Sequence, residues 1–318
     1  MGNGEAFLLG LSDGVALGSC GALGMRKQLV KEAFPITLAA GVMSVIGAAD
    51  AAVILNRLSS LGNTAGEAAS LYGIYTGYAV TVYALPFALT GAVSAWVSPV
   101  VAGAFATENG KKLSKGILTA LKLSGGIGFF AASCYILMPR ELLNVFFSRS
   151  EAELASVLLM LLAPSVVIAP MLSVFTSSLY GMGKTKPAVI GGIISGVIKL
   201  FLNYFLVGTP EIGILGAPIS AGVSFLIGLA VSWRGVHGVL RSMNVKSRFL
   251  SGLVLPAVCG LSSGCVSFWV YRFTSDLVGE RLSAVLGVLC GGALLGTIYA
   301  FAFPKRKKDE LTGEKNEN

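Results

Sequence analysis

Asp50, Arg57, Lys199, Asn203 and Tyr75 are the residues of this 318-residue sequence that could do chemistry, because all five lie in stretches apolar enough to cross a membrane. The first stretch is KEAFPITLAAGVMSVIGAADAAVILNRL, Lys31 to Leu58. Counted from Phe34, Asp50 stands about 24 Å along a helix, in the second half of the crossing, and Arg57 follows seven residues later on the same face. Their backbones are about 10 Å apart, too far for a direct contact without a bridge. Lys199 lies in VIGGIISGVIKLFLNYFLVG, about 18 Å beyond Pro187 and close to the midplane, with Asn203 one turn later. A charge at mid-bilayer costs at least about 2.5–3.5 kcal/mol on insertion scales, so such residues face a cavity or a partner. Two readings stay open. Asp50 and Lys199 form a structural ion pair while Arg57 snorkels to the surface. Alternatively the group lines a route for an anionic or polar substrate. Tyr72, Tyr75, Tyr78 and Tyr83 precede Pro86; Tyr72 fits the aromatic belt at the membrane surface, and Tyr75 is a cavity candidate.

These side chains need a helical scaffold. Only 13% of residues are charged and mean hydropathy is +0.77, well outside the range of soluble domains. Eight stretches reach the roughly 20 apolar residues of a span. They run near Phe34–Asn56, Tyr72–Ala106, Gly116–Met138, Leu154–Tyr180, Pro187–Val207, Ile212–Trp233, Phe249–Tyr271 and Leu282–Phe303. The second exceeds the bilayer, which predicts tilt or a helix continuing into water. No alternating ten-residue segments mark barrel strands, so the expected fold is all-α. The expected divisions are a weakly apolar segment 1–25, a six-helix lobe 26–244, two additional helices 245–304 and a charged tail 305–318.

Alternate connections carry unequal charge. One set holds 16 Lys and Arg, the other five, and the bias repeats at each turn. Basic loops stay in the cytoplasm, which places both termini there in the cell membrane. The formal charge of +8 is scattered over loops, so nucleic-acid binding is excluded. The tail PKRKKDELTGEKNEN reads as disordered topological anchoring. Cys20, Cys134, Cys259, Cys265 and Cys290 read as small core residues, and Lys122 as a snorkelling side chain. Pro86, Pro99, Pro164 and Pro170 permit kinks. His237 is the sole histidine, GMGKTK lacks Walker spacing, and no nucleophile has a base, so neither an enzyme nor a metal or cofactor site is expected.

FPITLAAGVMSVIGAADAAVILNRL with LYGIYTGYAVTVYALPFALTGAVSAWVSPVVAGAFA resembles the seventh and eighth helices of stage V sporulation protein B-type flippases. LYGMGKTKPAVIGGIISGVIKLFLNYFLV and EIGILGAPISAGVSFLIGL resemble their tenth to twelfth. These belong to the multidrug/oligosaccharidyl-lipid/polysaccharide (MOP) superfamily, with the lipid II flippase MurJ as a relative. The resemblance covers Gln28 to Phe303 and implies the second six-helix lobe plus two extra C-terminal helices, without the first lobe. It implies flipping of lipid-linked oligosaccharide, polysaccharide or peptidoglycan precursors by alternating access, in a truncated or split member linked to cell-wall or spore-cortex synthesis. A separate N-terminal lobe or a homo-oligomer would supply the missing wall. Lys199 and Arg57 would attract the phosphates of the head group, Asn203 and Tyr75 would hydrogen-bond sugar, and Asp50 would tune the cations or take up a coupling ion. The alternatives are a cation-coupled multidrug or metabolite exporter and a non-transporting membrane partner protein.

Overall fold

The computed structural model describes residue 37 and residues 41–147, 152–245 and 249–302. The N-terminal segment 1–25, Cys20 and the tail 305–318 lie outside the described residues. Among the described residues eight helices are long and apolar enough to cross a membrane, matching the eight expected. No strand occurs among the described residues.

The crossings begin with α1, Gly41–Ser60. A four-residue turn follows, with Gly62 at φ 94° and the Asn63 amide donating to the Leu58 carbonyl at 2.8 Å. Thr64 then opens α2, Ala65–Gly73, with a capping box: its hydroxyl accepts from the Glu67 N–H, and its own N–H donates to the Glu67 carboxylate. A π-helical stretch, Ile74–Ala79, joins α2 to α3, Val80–Ala106. The whole span is 42 residues, about 63 Å of helix against a core of about 30 Å, which accounts for the excess length read in the sequence.

Then come α4, Gly110–Leu137, and a short α5, Pro139–Phe146. The latter lies in the connection between the third and fourth expected spans. It is amphipathic: Leu142 and Leu143 are buried, while the neighbouring Arg140 makes an exposed 3.1 Å ion pair with Glu153. Next are α6, Ala152–Gly181, α7, Thr185–Leu206, and α8, Gly216–Ser242. A four-residue α9, Phe249–Gly252, leads to the last two spans, α10, Val254–Val278, and α11, Glu280–Ala302.

Helices α4 and α6 are the most buried spans and form the centre, with α3 against both. Helix α8 packs on α6 and α7 on α8; on the other flank α10 packs on α4 and α11 on α10. The core divides into two apolar clusters, one around Ile54, Tyr75, Tyr135 and Leu162, the other around Val101, Ile117, Leu179 and Leu240. Leu89, Trp96, Phe201, Trp269 and Phe273 point outward, a surface suited to acyl chains rather than water. Cys134 and Cys259 are buried, but Cys265 and Cys290 are exposed on the bundle's surface, so those two are not the core residues the sequence suggested. In α10 and α11 a cysteine is as well suited to lipid as to a core.

Pro86 cannot donate to the Val82 carbonyl, its helical partner four residues back. The Tyr135 hydroxyl of α4 donates to that same carbonyl at 2.8 Å, fully buried. Helix α3 is thereby tied to the central helix at its proline. Tyr135→Phe leaves an apolar ring beside an unpaired buried carbonyl, with an expected cost of about 1–3 kcal/mol, read as a lower melting temperature of the detergent-purified protein.

Candidate functional site

Helices α1 and α7 run parallel and in contact. A Cβ on Gly192 would lie 3.7 Å from the Met43 sulfur, and one on Gly196 would lie 2.9 Å from Ile46. One turn further along both helices, Lys199 meets Asp50, and beyond that Gly208 approaches Arg57. The hydrogen side chain of Gly196 is therefore what lets the two backbones approach closely enough below Lys199 for its ammonium to reach across.

The ammonium of Lys199 stands 2.8 Å from Oδ2 of Asp50. The Nδ2 of Asn203 donates to the other carboxylate oxygen, Oδ1. The hydroxyl of Ser220, on α8, reaches the Asn203 side-chain amide oxygen, Oδ1, and also the Ala217 carbonyl of its own helix at 2.9 Å, sharing its one proton between them. Three helices thus contribute to one polar chain across an apolar bundle. Asp50 is 8% exposed and Asn203 and Ser220 are fully buried, whereas the Lys199 side chain keeps 28% of its surface. The network is sealed on the α8 side and open at the lysine. Ser220 reaches Asn203 because Gly216 tucks the start of α8 beneath the end of α7, where a Cβ would stand 2.7 Å from that of Leu206.

Arg57 does not join this group. Its Nε donates to the Tyr204 carbonyl at 3.1 Å, and its guanidinium carbon lies 3.3 Å from the centre of the Tyr204 ring. The guanidinium is thus held over an aromatic ring at the end of α1 and tied to the backbone of the same residue. Tyr75 is buried in the apolar cluster at the π-helical stretch, and Tyr72 is half-buried beside the same cluster. Extra-residue helical turns of this kind recur at functional sites, where they rotate side chains out of the regular helical register.

The structure thus brings together Asp50, Lys199 and Asn203, places Tyr75 in the apolar cluster that also holds Ile54 of α1, and sets Arg57 apart. Ser220 and Tyr204 were not singled out from sequence. A lone serine in an apolar helix carries no signal, since most such hydroxyls bond to their own backbone, as Ser224 does to Ala221. Among the described residues no three His, Cys, Asp or Glu side chains are gathered as for a metal ion.

The family described as Lipid II flippase MurJ matches residues 22–277. The chain belongs to this family. Its similarity to Stage V sporulation protein B of Bacillus subtilis (strain 168) is 23% identity, covering 89% of this chain and 53% of that protein. With Lipid II flippase MurJ of the same organism it shares 25% identity, over 73% of this chain and 43% of the relative. The chain therefore spans about half the length of the curated relatives it matches. Among solved structures, the inward closed conformation of Lipid II flippase MurJ superposes with a TM-score of 0.62 at 14% identity, covering 87% of this chain and 54% of that one. A MATE transporter in its straight conformation superposes with a TM-score of 0.56. The fold is that of MurJ and MATE transporters, and the MOP resemblance read from the helices is correct. The family is described by a flippase activity, and with eight apolar helices among the described residues the chain is a multi-pass membrane protein.

Proposed function

We propose that the chain forms one lobe of a flippase that moves lipid-linked saccharide or peptidoglycan precursors across the cell membrane by alternating access. The observation that carries this reading is the Lys199–Asp50–Asn203–Ser220 chain, closed on one side and open at a partly exposed ammonium. A phosphate-bearing head group can exchange with the Asp50 carboxylate for Lys199, while amide and hydroxyl groups meet its sugar. The lipid tail stays among the outward-facing apolar side chains. A route between two lobes needs a second wall, which we assign to a first lobe, within a longer chain or separately encoded, or to a second copy. The basic connections lie on the cytoplasmic side in this reading, with both ends of the chain there, so α1 carries Asp50 into the outer half of the membrane.

Arg57 then acts as an outer station for the same phosphates, pre-oriented by Tyr204. Arg57→Lys loses the planar stack and the backbone bond together. The expected result is a roughly five- to seventyfold weaker binding of a pyrophosphate-linked lipid, from a cation–π term of about 0.5–1 kcal/mol and one lost hydrogen bond of about 0.5–1.5 kcal/mol, measured by titration in nanodiscs.

The reading is tested in proteoliposomes holding a lipid-linked saccharide with a fluorescent head group. The chain is reconstituted alone and with a first lobe, and dithionite quenching reports head groups crossing the bilayer. The expected result is quenching beyond half of the label when both lobes are present. Efflux of small organic cations without lipid crossing would instead support an exporter, in keeping with the MATE-like fold. Neither activity, together with no binding of the labelled lipid, would support a non-transporting partner protein and overturn the proposal.

A further inference from the structure

Both oxygens of Asp50 are occupied by donors that belong to the protein: Lys199 on Oδ2 and Asn203 on Oδ1. A buried carboxylate needs a positive partner, and a transport protein can take that partner either from solution or from its own chain. Here the partner is covalently held. The ammonium meets Oδ2 of Asp50; Oδ1 of the same carboxylate, the Asn203 side-chain amide oxygen and the Ser220 hydroxyl follow in the chain. These are hard oxygen donors carrying one negative charge, a set whose natural free ligand is a small monovalent cation.

We propose that Lys199 is a tethered cation that fills the place of a solution cation at Asp50, making this chain independent of Na+ at that site. The magnitude decides the point. A second positive charge about 4 Å from the ammonium, at an effective dielectric of about 20, binds roughly a thousandfold more weakly than at the bare carboxylate. At ordinary salt the lysine therefore excludes the metal ion. Removing the ammonium uncovers the Asp50 carboxylate and leaves its Oδ2 without a donor, a place a small cation can take. The proposal concerns cation binding and stands apart from what the protein transports.

The test uses the purified full-length chain in nanodiscs, with melting temperature followed while NaCl replaces choline chloride at constant ionic strength. Direct 22Na+ binding is measured in parallel. The wild type is expected to show no Na+-dependent shift and no bound 22Na+. Lys199→Ala is expected to gain both, saturably, with the melting temperature rising as site occupancy rises. Adding Asp50→Asn to that variant should remove the gain. Should Lys199→Ala fail to fold, Lys199→Gln replaces it. Saturable Na+ stabilisation of the wild type overturns the proposal, as does a folded lysine variant with no Na+ response.

Discussion

Lys199→Met lowers the stability of the protein by more than the double substitution Asp50→Asn/Lys199→Met, and neither variant moves lipid-linked precursor. The first half of that expectation is electrostatic. Removing one partner of a buried pair leaves a carboxylate with nothing to neutralise it, at a cost of about 3–5 kcal/mol in a fully buried setting. The Lys199 side chain keeps 28% of its surface, which reduces the expected loss to about 2–3 kcal/mol. In the double variant residue 50 is a neutral amide that can still hydrogen-bond Asn203, so most of that loss is recovered. The two single substitutions are in direct contact and therefore not additive, with a coupling of about 1–3 kcal/mol. The second half separates stability from transport. A structural ion pair predicts that the double variant regains activity with its stability. A lysine that must engage a phosphate predicts that it does not. Melting curves in detergent and dithionite quenching in two-lobe proteoliposomes read the two quantities independently.

The division between what the sequence reveals and what it hides follows the physics of each feature. Eight crossings are legible because each must keep about 20 apolar residues together whatever it packs against. The convergence of Asp50 with Lys199 is legible as a need, since each charge is too costly to leave alone in the bilayer. Asn203 follows from helical periodicity, one turn beyond Lys199. Arg57 was correctly placed too far along α1 to touch Asp50, but its partner, Tyr204, sits on another helix, and no local rule selects that ring over Phe201 or Phe205 beside it. The π-helical stretch at Ile74–Ala79 has no marker in IYTGYA, because a one-residue bulge costs little and is set by packing against α6. Helix α5 was missed because eight residues with two buried leucines are too short to carry a periodic signal. Tyr135 bonding the carbonyl that Pro86 frees is visible only once α3 and α4 are side by side.

Gly216→Val is the substitution expected to disable the site without touching any of its polar groups. An added Cβ at residue 216 would lie 2.7 Å from the Leu206 Cβ and 2.9 Å from the Val207 backbone nitrogen. The nitrogen cannot rotate away, because it belongs to the end of α7 and bonds the Asn203 carbonyl at 3.0 Å. The start of α8 must therefore lift off α7. Overpacking of this kind costs about 1–3 kcal/mol, and β-branching in a helix adds a few tenths. Ser220 lies one turn from Gly216 on the same face, so the lift carries its hydroxyl away from Asn203. Asn203 is fully buried and would keep an unsatisfied side-chain amide oxygen, adding about 1–3 kcal/mol or forcing the amide to turn from Asp50. The control is Ser220→Ala, which removes the same hydrogen bond while leaving the helix contact intact. If α8 positions the network, Gly216→Val loses more stability than Ser220→Ala, and both weaken binding of a pyrophosphate-linked lipid in nanodiscs. Equal stability for Gly216→Val and wild type would mean that the α7–α8 corner is loose, and that Ser220 is not held where it can orient Asn203.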